Sequence, residues 1–516
     1  MSAATALSRV TGFGRTVVQT AVIGTGTVVA ESYTVSNTLP NQIYELFMGG
    51  LLSSIFIPLL VERLTQHGED DARRLTNALL TLILPFLALV VVLVIVFAGP
   101  LVDLTTNWKP TSTFSAQEAH QTRDLAVLLF RVFAVQVLFY GVGALAMGVL
   151  NAHRRFFLPT FAPVLNNLIV IASFATYALA VSASPTVAIY ILAGGTTFGV
   201  AVMSLALLPS AWRLGYRPRF ASGHPALLPA ARLAGPMLLF VASAVGVQAA
   251  ANLFGSSFSG ASNLWNAFMI FTLPYGVFVV AIGTALIPEL SERYSNGDTD
   301  GYRETLSFGL RTMVFIVVPA SVGMIALAKP IVSLLYERGK FTAADTNSVA
   351  AILTAYGVGL LGYAAYFILV RSFYSRQNTR TPALLNAGLL MLYIALAYTL
   401  SSVMKLPGVA LAFSGAYSIL ALGLLAAMRR EIKRLDGRRL ALSLVKIFVA
   451  GAAMYAVARI GISFTGTGAG LLDRAGILAL VGGISVAAYL GVAVLLRTEE
   501  LKSAVSLIRR RRVRAT

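Results

Sequence analysis

Cysteine is absent from all 516 residues, which excludes disulfides and thiolate metal sites. Histidine is scarce. His67, His120, His153 and His224 stand singly on loops and helix ends, none spaced as metal ligands, so no metal or cofactor is expected. Charge is scarce too, at 12% of residues against about a quarter in soluble proteins. Acids are the scarcer sign, 21 against 40 Lys and Arg, for a net charge of +19. No Gly-x-Ser-x-Gly, Walker sequence or carboxylate pair stands in a suitable context, so no catalytic residue is expected and the chain is not an enzyme by this reading.

Apolar sequence fills the space. The chain is 57% hydrophobic, with a mean hydropathy of +0.78. Runs of about 20 apolar residues recur along its length, each able to cross a bilayer as a helix. They are continuous rather than alternating, which favours helices over a β-barrel. The first run holds Arg9 and Arg15 and lacks a small-residue cleavage site, so it is expected to be a membrane helix rather than a cleaved signal. Fourteen helices are predicted near 3–25, 29–64, 72–98, 121–150, 158–182, 186–212, 229–254, 261–293, 303–327, 345–372, 382–403, 406–428, 440–462 and 474–497.

Landmarks recur about 230 residues apart. Leu39-Pro40, Ile57-Pro58 and Glu62-Arg63 return as Leu273-Pro274, Ile287-Pro288 and Glu292-Arg293. Leu150-Asn151 through Pro159 returns as Phe373-Tyr374 through Pro382, and Gly99-Pro100 as Lys329-Pro330. Alternate loops carry the positive charge: Arg154-Arg155, then Arg213, Arg217 and Arg219, then Arg371, Arg376 and Arg380, then the run from Arg429 to Arg439. The loops between, such as 183–185, 255–260 and 463–472, have almost none. The positive-inside rule therefore predicts cytoplasmic termini at a plasma membrane. The fold class is an all-α polytopic membrane protein with fourteen transmembrane helices, two parallel six-helix repeats plus two C-terminal helices. Its expected parts are 1–222, 223–430, a helix pair at 431–498 and a basic cytoplasmic tail at 499–516. Repeats of like orientation place a substrate path between them. The net charge is a topology signal, so nucleic acid is not an expected partner; membrane lipids are.

Ionisable groups inside a span cost at least ~2.5–3.5 kcal/mol and mark function. Arg15 lies about halfway along the first helix, with Gln19 at i+4 and Arg9 nearer the cytoplasm. Gly12 and Gly14 offer a bend that would align the two arginines. Glu31, Thr34, Asn37, Asn41 and Glu45 form a stripe on the second helix, interrupted by Pro40. Gln248, Asn252 and Ser256 share a face of the seventh helix, and Asn263, Asn266 and Thr272 lie on the eighth. The predicted substrate contacts are Arg9, Arg15, Gln19, Asn37, Asn41, Glu45, Gln248, Asn252 and Asn266. A cationic, amide-lined path without a nucleophile suits an anionic amphiphile, and arginine's planar fork grips phosphate. Arg131 and Arg311 are read as ion-pair members.

Ser8-Arg9-Val10-Thr11-Gly12-Phe13-Gly14-Arg15 resembles the opening motif of the lipid II flippase family (MurJ/MviN). So do Leu39-Pro40-Asn41, Phe56-Ile57-Pro58, Asn151 through Pro163, Tyr336 through Thr342, and Phe373 through Pro382. The resemblance runs from about residue 8 to 430. It implies a fourteen-helix member of the multidrug/oligosaccharidyl-lipid/polysaccharide exporter superfamily. It further implies that lipid II, the undecaprenyl-pyrophosphate-linked peptidoglycan precursor, is carried to the outer leaflet of a bacterial plasma membrane. The implied cavity lies between helices one, two, seven and eight, and the last two helices form a groove for the lipid tail. Tyr44, Glu45 and Met269 stand where the family often has arginine, so only Arg9 and Arg15 carry over. Cell-wall synthesis proteins are candidate partners. The rival readings are a flippase for another polyprenyl-linked glycan and a non-transporting cell-wall scaffold; a small-molecule exporter and a membrane glycosyltransferase rank below these.

Overall fold

The computed structural model of the chain describes residues 2–45, 56–111, 114–221, 223–432, 437–466, 468 and 470–501, with backbone alone at 2–3, 39, 43–45, 229–238, 240 and 437–440. The described residues are helical, apart from connecting turns and one isolated bridge between Thr111 and Phe114. In order they form α1 (Ser2–Ile23), α2 (Val28–Glu45), α3 (Ile57–Gln66), α4 (Glu69–Val96), α5 (Ala98–Thr105), α6 (Ala116–Ala134) and α7 (Gln136–Ala152). There follow α8 (Phe157–Ala180), α9 (Pro185–Leu205), α10 (Leu208–Arg213), α11 (Leu227–Ser256) and α12 (Ala261–Pro274). A π turn at Tyr275–Val279 leads to α13 (Val280–Ser295), α14 (Thr299–Ala326), α15 (Ala328–Tyr336) and α16 (Ala343–Ser375). The chain closes with α17 (Arg380–Met404), α18 (Leu406–Ile432), α19 (Gly437–Thr465) and α20 (Leu471–Leu495).

Among the described residues, eleven helices are long and apolar enough to cross a membrane. The helices α1, α2 and α11 are not among them, and the first two carry the polar residues singled out above. Two of the expected helices run through a local irregularity, and a third is described only in part. Residues 29–64 are described as α2 and α3, with 46–55 outside the described residues. The stretch 121–150 breaks at Val135, between α6 and α7, without a proline. The stretch 261–293 contains the π turn directly after Pro274, which lacks the N–H an α turn needs.

By its internal contacts the chain forms two compact units, 1–262 with 338–342, and 263–337 with 343–516. In the first, Ser32 and Ser36 donate to the Thr122 and Ala126 carbonyls at 2.8 Å each, fastening α2 to α6. Tyr33 packs edge-on between Phe133 and Phe174. In the second, an aromatic seam locks the π turn to α16 and α18: Tyr275 meets Tyr363 at 4.7 Å, Tyr363 meets Tyr417 at 4.9 Å, and Tyr417 meets Phe413 at 4.5 Å. Buried Arg311 of α14 pairs with Glu499 at 2.7 Å and Glu500 at 3.6 Å, and Ser443 of α19 donates to Glu500 at 2.8 Å. Tyr489 donates to the Phe315 carbonyl at 2.8 Å, so α19 and α20 are both held on α14.

The repeated landmarks do the same backbone work. After α7, the Arg155 N–H bonds the Leu150 carbonyl and the Arg154 N–H bonds that of Asn151, with Arg154 left-handed at φ 58°. After α16, Asn378 bonds Phe373 and Gln377 bonds Tyr374, with Gln377 at φ 59°. Each is a Schellman stop at the same place in its repeat, made with a non-glycine residue. Gly99-Pro100 and Lys329-Pro330 each sit in the first turn of a short helix, α5 and α15, where a missing N–H costs nothing. A left-handed L-residue costs roughly 1–2 kcal/mol. Gln377→Gly is therefore expected to raise the thermal midpoint of the purified chain, by relief of about 1 kcal/mol, and Gln377→Val to lower it. Equal midpoints for both variants would contradict the strained turn.

Candidate functional site

The first helix presents two guanidiniums in different settings. Six residues of helix turn them about 120° apart. Arg9 is exposed and Arg15 half-buried. α1 is one continuous helix, so the bend that Gly12 and Gly14 would allow is not taken. Gly12 instead lets α1 approach α8, where Asn167 Nδ2 donates to the Ser8 carbonyl and to Thr11 Oγ1. Arg15 and buried Gln19 continue that stripe, and Arg15 lies within electrostatic reach of the Tyr33 phenol. Among the described residues, neither Arg9 nor Arg15 has an ion-pair partner.

The other expected contacts divide between the units. Asn37 is half-buried, and its Oδ1 meets no hydrogen-bond donor among the described residues. Asn41 accepts from the Tyr140 hydroxyl at 3.0 Å. Gln248 donates to Asn252 at 3.4 Å, one turn further along α11. Asn252, Ser36, Thr38 and Gln42 share the wall of a cavity of about 150 Å³ between α2, α5, α6 and α11. The Glu45 side chain lies outside the described residues. Asn266, in the second unit, is buried, and its carbonyl accepts from Tyr336 at 3.3 Å. Of the two further cations, Arg311 is the ion-pair member described above, whereas Arg131 is exposed.

Another polar constellation in the first unit went unseen in the sequence. Glu31 is fully buried, and its carboxylate holds the first turn of α12. Oε1 accepts from the Ser262 N–H at 2.8 Å and the Ser262 hydroxyl at 2.6 Å. Oε2 accepts from the Ala261 N–H at 3.0 Å and, at 3.5 Å, from the Trp108 indole. Helix N-termini leave such N–H groups open and favour a negative charge beside them. With its hydrogen directed to Glu31, the Ser262 hydroxyl oxygen accepts from the Gly26 N–H at 2.8 Å and from Thr25 at 2.9 Å. The Asn107 N–H donates to Ser256 Oγ at 2.8 Å. At the end of α1, the Lys340 N–H donates to the Ala21 carbonyl at 2.9 Å, beside Gly339 at φ 60°, where a Cβ would stand 2.2 Å from that oxygen. Glu31 was legible as one member of a polar stripe. Its partners lie 77 and 231 residues away and give no local signal.

The family model described as "Lipid II flippase MurJ" matches residues 20–472. The chain belongs to the lipid II flippase family. Among curated relatives, a probable lipid II flippase MurJ of Rhizobium tropici is 30% identical over 508 residues, covering 96% of this chain and 92% of its own. A lipid II flippase MurJ of Burkholderia cenocepacia is 30% identical over 400 residues, 76% of this chain and 75% of its own. In fold, the chain matches a lipid II flippase MurJ in an inward closed conformation with a TM-score of 0.77 at 22% identity, over 96% of this chain and 98% of that one. An inward-facing multidrug resistance MATE family transporter of the MOP superfamily matches at 0.66 and 12% identity, over 85% and 96%. The family is one of flippases, and the likeness to the MATE transporter is one of fold.

The clasp makes a measurable prediction. Removing the acceptor strands two buried N–H groups at about 1–3 kcal/mol, and 1.4 kcal/mol is a factor of ten in local opening. The chain has no native cysteine, so Ala261→Cys provides a clean probe. Adding Glu31→Ala is expected to speed maleimide labelling of that cysteine about tenfold or more. An unchanged rate in a folded double variant contradicts the clasp.

Proposed function

We propose that this chain carries lipid II from the inner to the outer leaflet by alternating access. The observation that carries the reading is the pair Arg9 and Arg15, cations on the first helix with no acidic partner among the described residues. A buried or half-buried cation needs a counter-ion, and a pyrophosphate brings two or more negative charges to a forked donor. Gln19, Asn37, Asn41, Glu45, Gln248, Asn252 and Asn266 then meet the sugars and peptide. The unfilled Asn37 Oδ1 is suited to a cargo hydroxyl or amide N–H.

The topology belongs to the same proposal. Fourteen crossings, with both termini cytoplasmic, put the arginine-rich loops inside and the segments at 24–27, 106–108 and 255–262 outside. Two like-oriented repeats, 1–222 and 223–430, rock about a path between them, and α19 and α20 offer a groove to the polyprenyl tail. The Glu31 clasp then sits at the outer end, and its release is the outward-opening step. The membrane potential is a suitable drive, since a charge moved across it gains about 2.3 kcal/mol per 100 mV.

A second reading, a flippase for another polyprenyl-linked glycan, draws on Tyr44, Glu45 and Met269, which leave only two arginines to grip the headgroup. The lipid-linked precursor that accumulates on depletion separates the two. Arg15→Ala is expected to abolish precursor flipping in reconstituted vesicles while the thermal midpoint stays near that of the parent; Arg15→Lys, which keeps the charge but loses the fork, should retain a fraction. Full flipping by Arg15→Ala removes the assigned role.

A further inference from the structure

Beside the Glu31 clasp, the first unit carries a cleft of about 310 Å³ that the transport reading leaves unused. It lies between the end of α5 and the start of α6 and is lined by Asp103, Thr106, Asn107, Trp108, His120 and Arg123 among others. Its size is at the lower end of small-molecule sites, enough for a sugar ring and too small for a lipid chain.

The charges on its wall cancel. Arg123 clasps Asp103 in a two-point pair, Nε to Oδ1 at 2.6 Å and Nη2 to Oδ2 at 2.7 Å. That guanidinium holds the Asp103 carboxyl below the usual carboxylate range, so the pair stays ionised and self-compensated at neutral pH. A phosphate would find no net positive charge there. What the wall does offer is mixed hydrogen bonding: carboxylate oxygens accept, guanidinium N–H groups donate, and the exposed Asn107 amide and His120 ring do both. Hydroxyl-rich molecules both donate and accept, which matches such a rim. Trp108 adds the apolar face on which a pyranose stacks. Its half-buried ring is held by the indole contact to Glu31, and the backbone beside it by the Asn107 bond to Ser256.

We propose that this cleft is a neutral-glycan subsite, which takes a sugar of the cargo as it emerges beside the outer clasp. The assignment rests on the lipid-linked glycan reading above. Trp108 belongs to both cleft and clasp, so occupancy of one biases the other, reciprocally.

The chain has three tryptophans, and Trp212→Phe with Trp265→Phe leaves Trp108 as sole reporter. Its emission is titrated with soluble N,N′-diacetylchitobiose on the purified full chain, and separately with inorganic pyrophosphate. A saturable change with the disaccharide, in the millimolar range, and none with pyrophosphate is expected. Asn107→Ala together with His120→Ala should weaken the response about tenfold, with the starting emission and thermal midpoint unchanged. No saturation, a response indifferent to that double variant, or saturation by pyrophosphate overturns the subsite. The titration needs no transport: a chain that flips lipid II but ignores the disaccharide loses the subsite alone, and one that binds the disaccharide through these residues but flips nothing loses the transport reading alone.

Discussion

A carboxylate taken fully out of water must be met by donors, or its desolvation costs several kcal/mol. Glu31 is in that position, and three segments of the first unit converge on it. The two N–H groups that meet it are those a helix start leaves open, so the chain must deliver Ala261 and Ser262 to α2. The same requirement brings in the Trp108 indole. The turn at 24–26 is held in place at second hand, through the Ser262 hydroxyl. Water could replace these donors only if the group became exposed, and the proposed outward opening would require that. A packed apolar contact in the same place would have no such alternative.

The chain separates two uses of charge. Arg311 with Glu499 and Glu500, Arg474 with Glu337, and Asp103 with Arg123 are neutralised in place, and they pin helix ends. Asp103 with Arg123 is a surface pair, which adds little stability and chiefly fixes geometry, whereas removing one partner of the buried Arg311 group would leave an uncompensated charge. Among the described residues, Arg9 and Arg15 have no such partners. A helix within a bilayer tolerates unpaired cations only where water or an anion reaches them. Under the proposed function, that contrast is the mark of a binding element on α1.

Much of this architecture was legible in the sequence because it follows from composition. Apolar runs of sufficient length must be helical in a bilayer, where no water is available to the backbone. The repeat was legible because proline and the segments at Asn151 and Tyr374 impose local backbone geometry wherever they occur. Less was legible where neighbours decide. The break at Val135 has no proline to announce it, and the packing of the π turn's Tyr275 on Tyr363 joins residues far apart in the chain. Left-handed Arg154 and Gln377 have side chains that disfavour that conformation, and only the two-bond stop around them explains it. Among the candidate site residues, helical spacing grouped Arg15 with Gln19 and Gln248 with Asn252, whereas the role of Glu31 emerged only from contacts with residues far along the chain.

The sequence alone determined that this protein is helical and membrane-embedded, built on a repeated pattern, free of thiol chemistry, and cationic on its first helix. Those properties depend on residue type and short spacing, which are local. Tertiary structure decided which polar groups are matched to one another and which are left for a ligand. The matching partners of Glu31, Arg311 and Asp103 come from separate helices, and a charge's free energy depends on what surrounds it in space rather than on its neighbours in the chain.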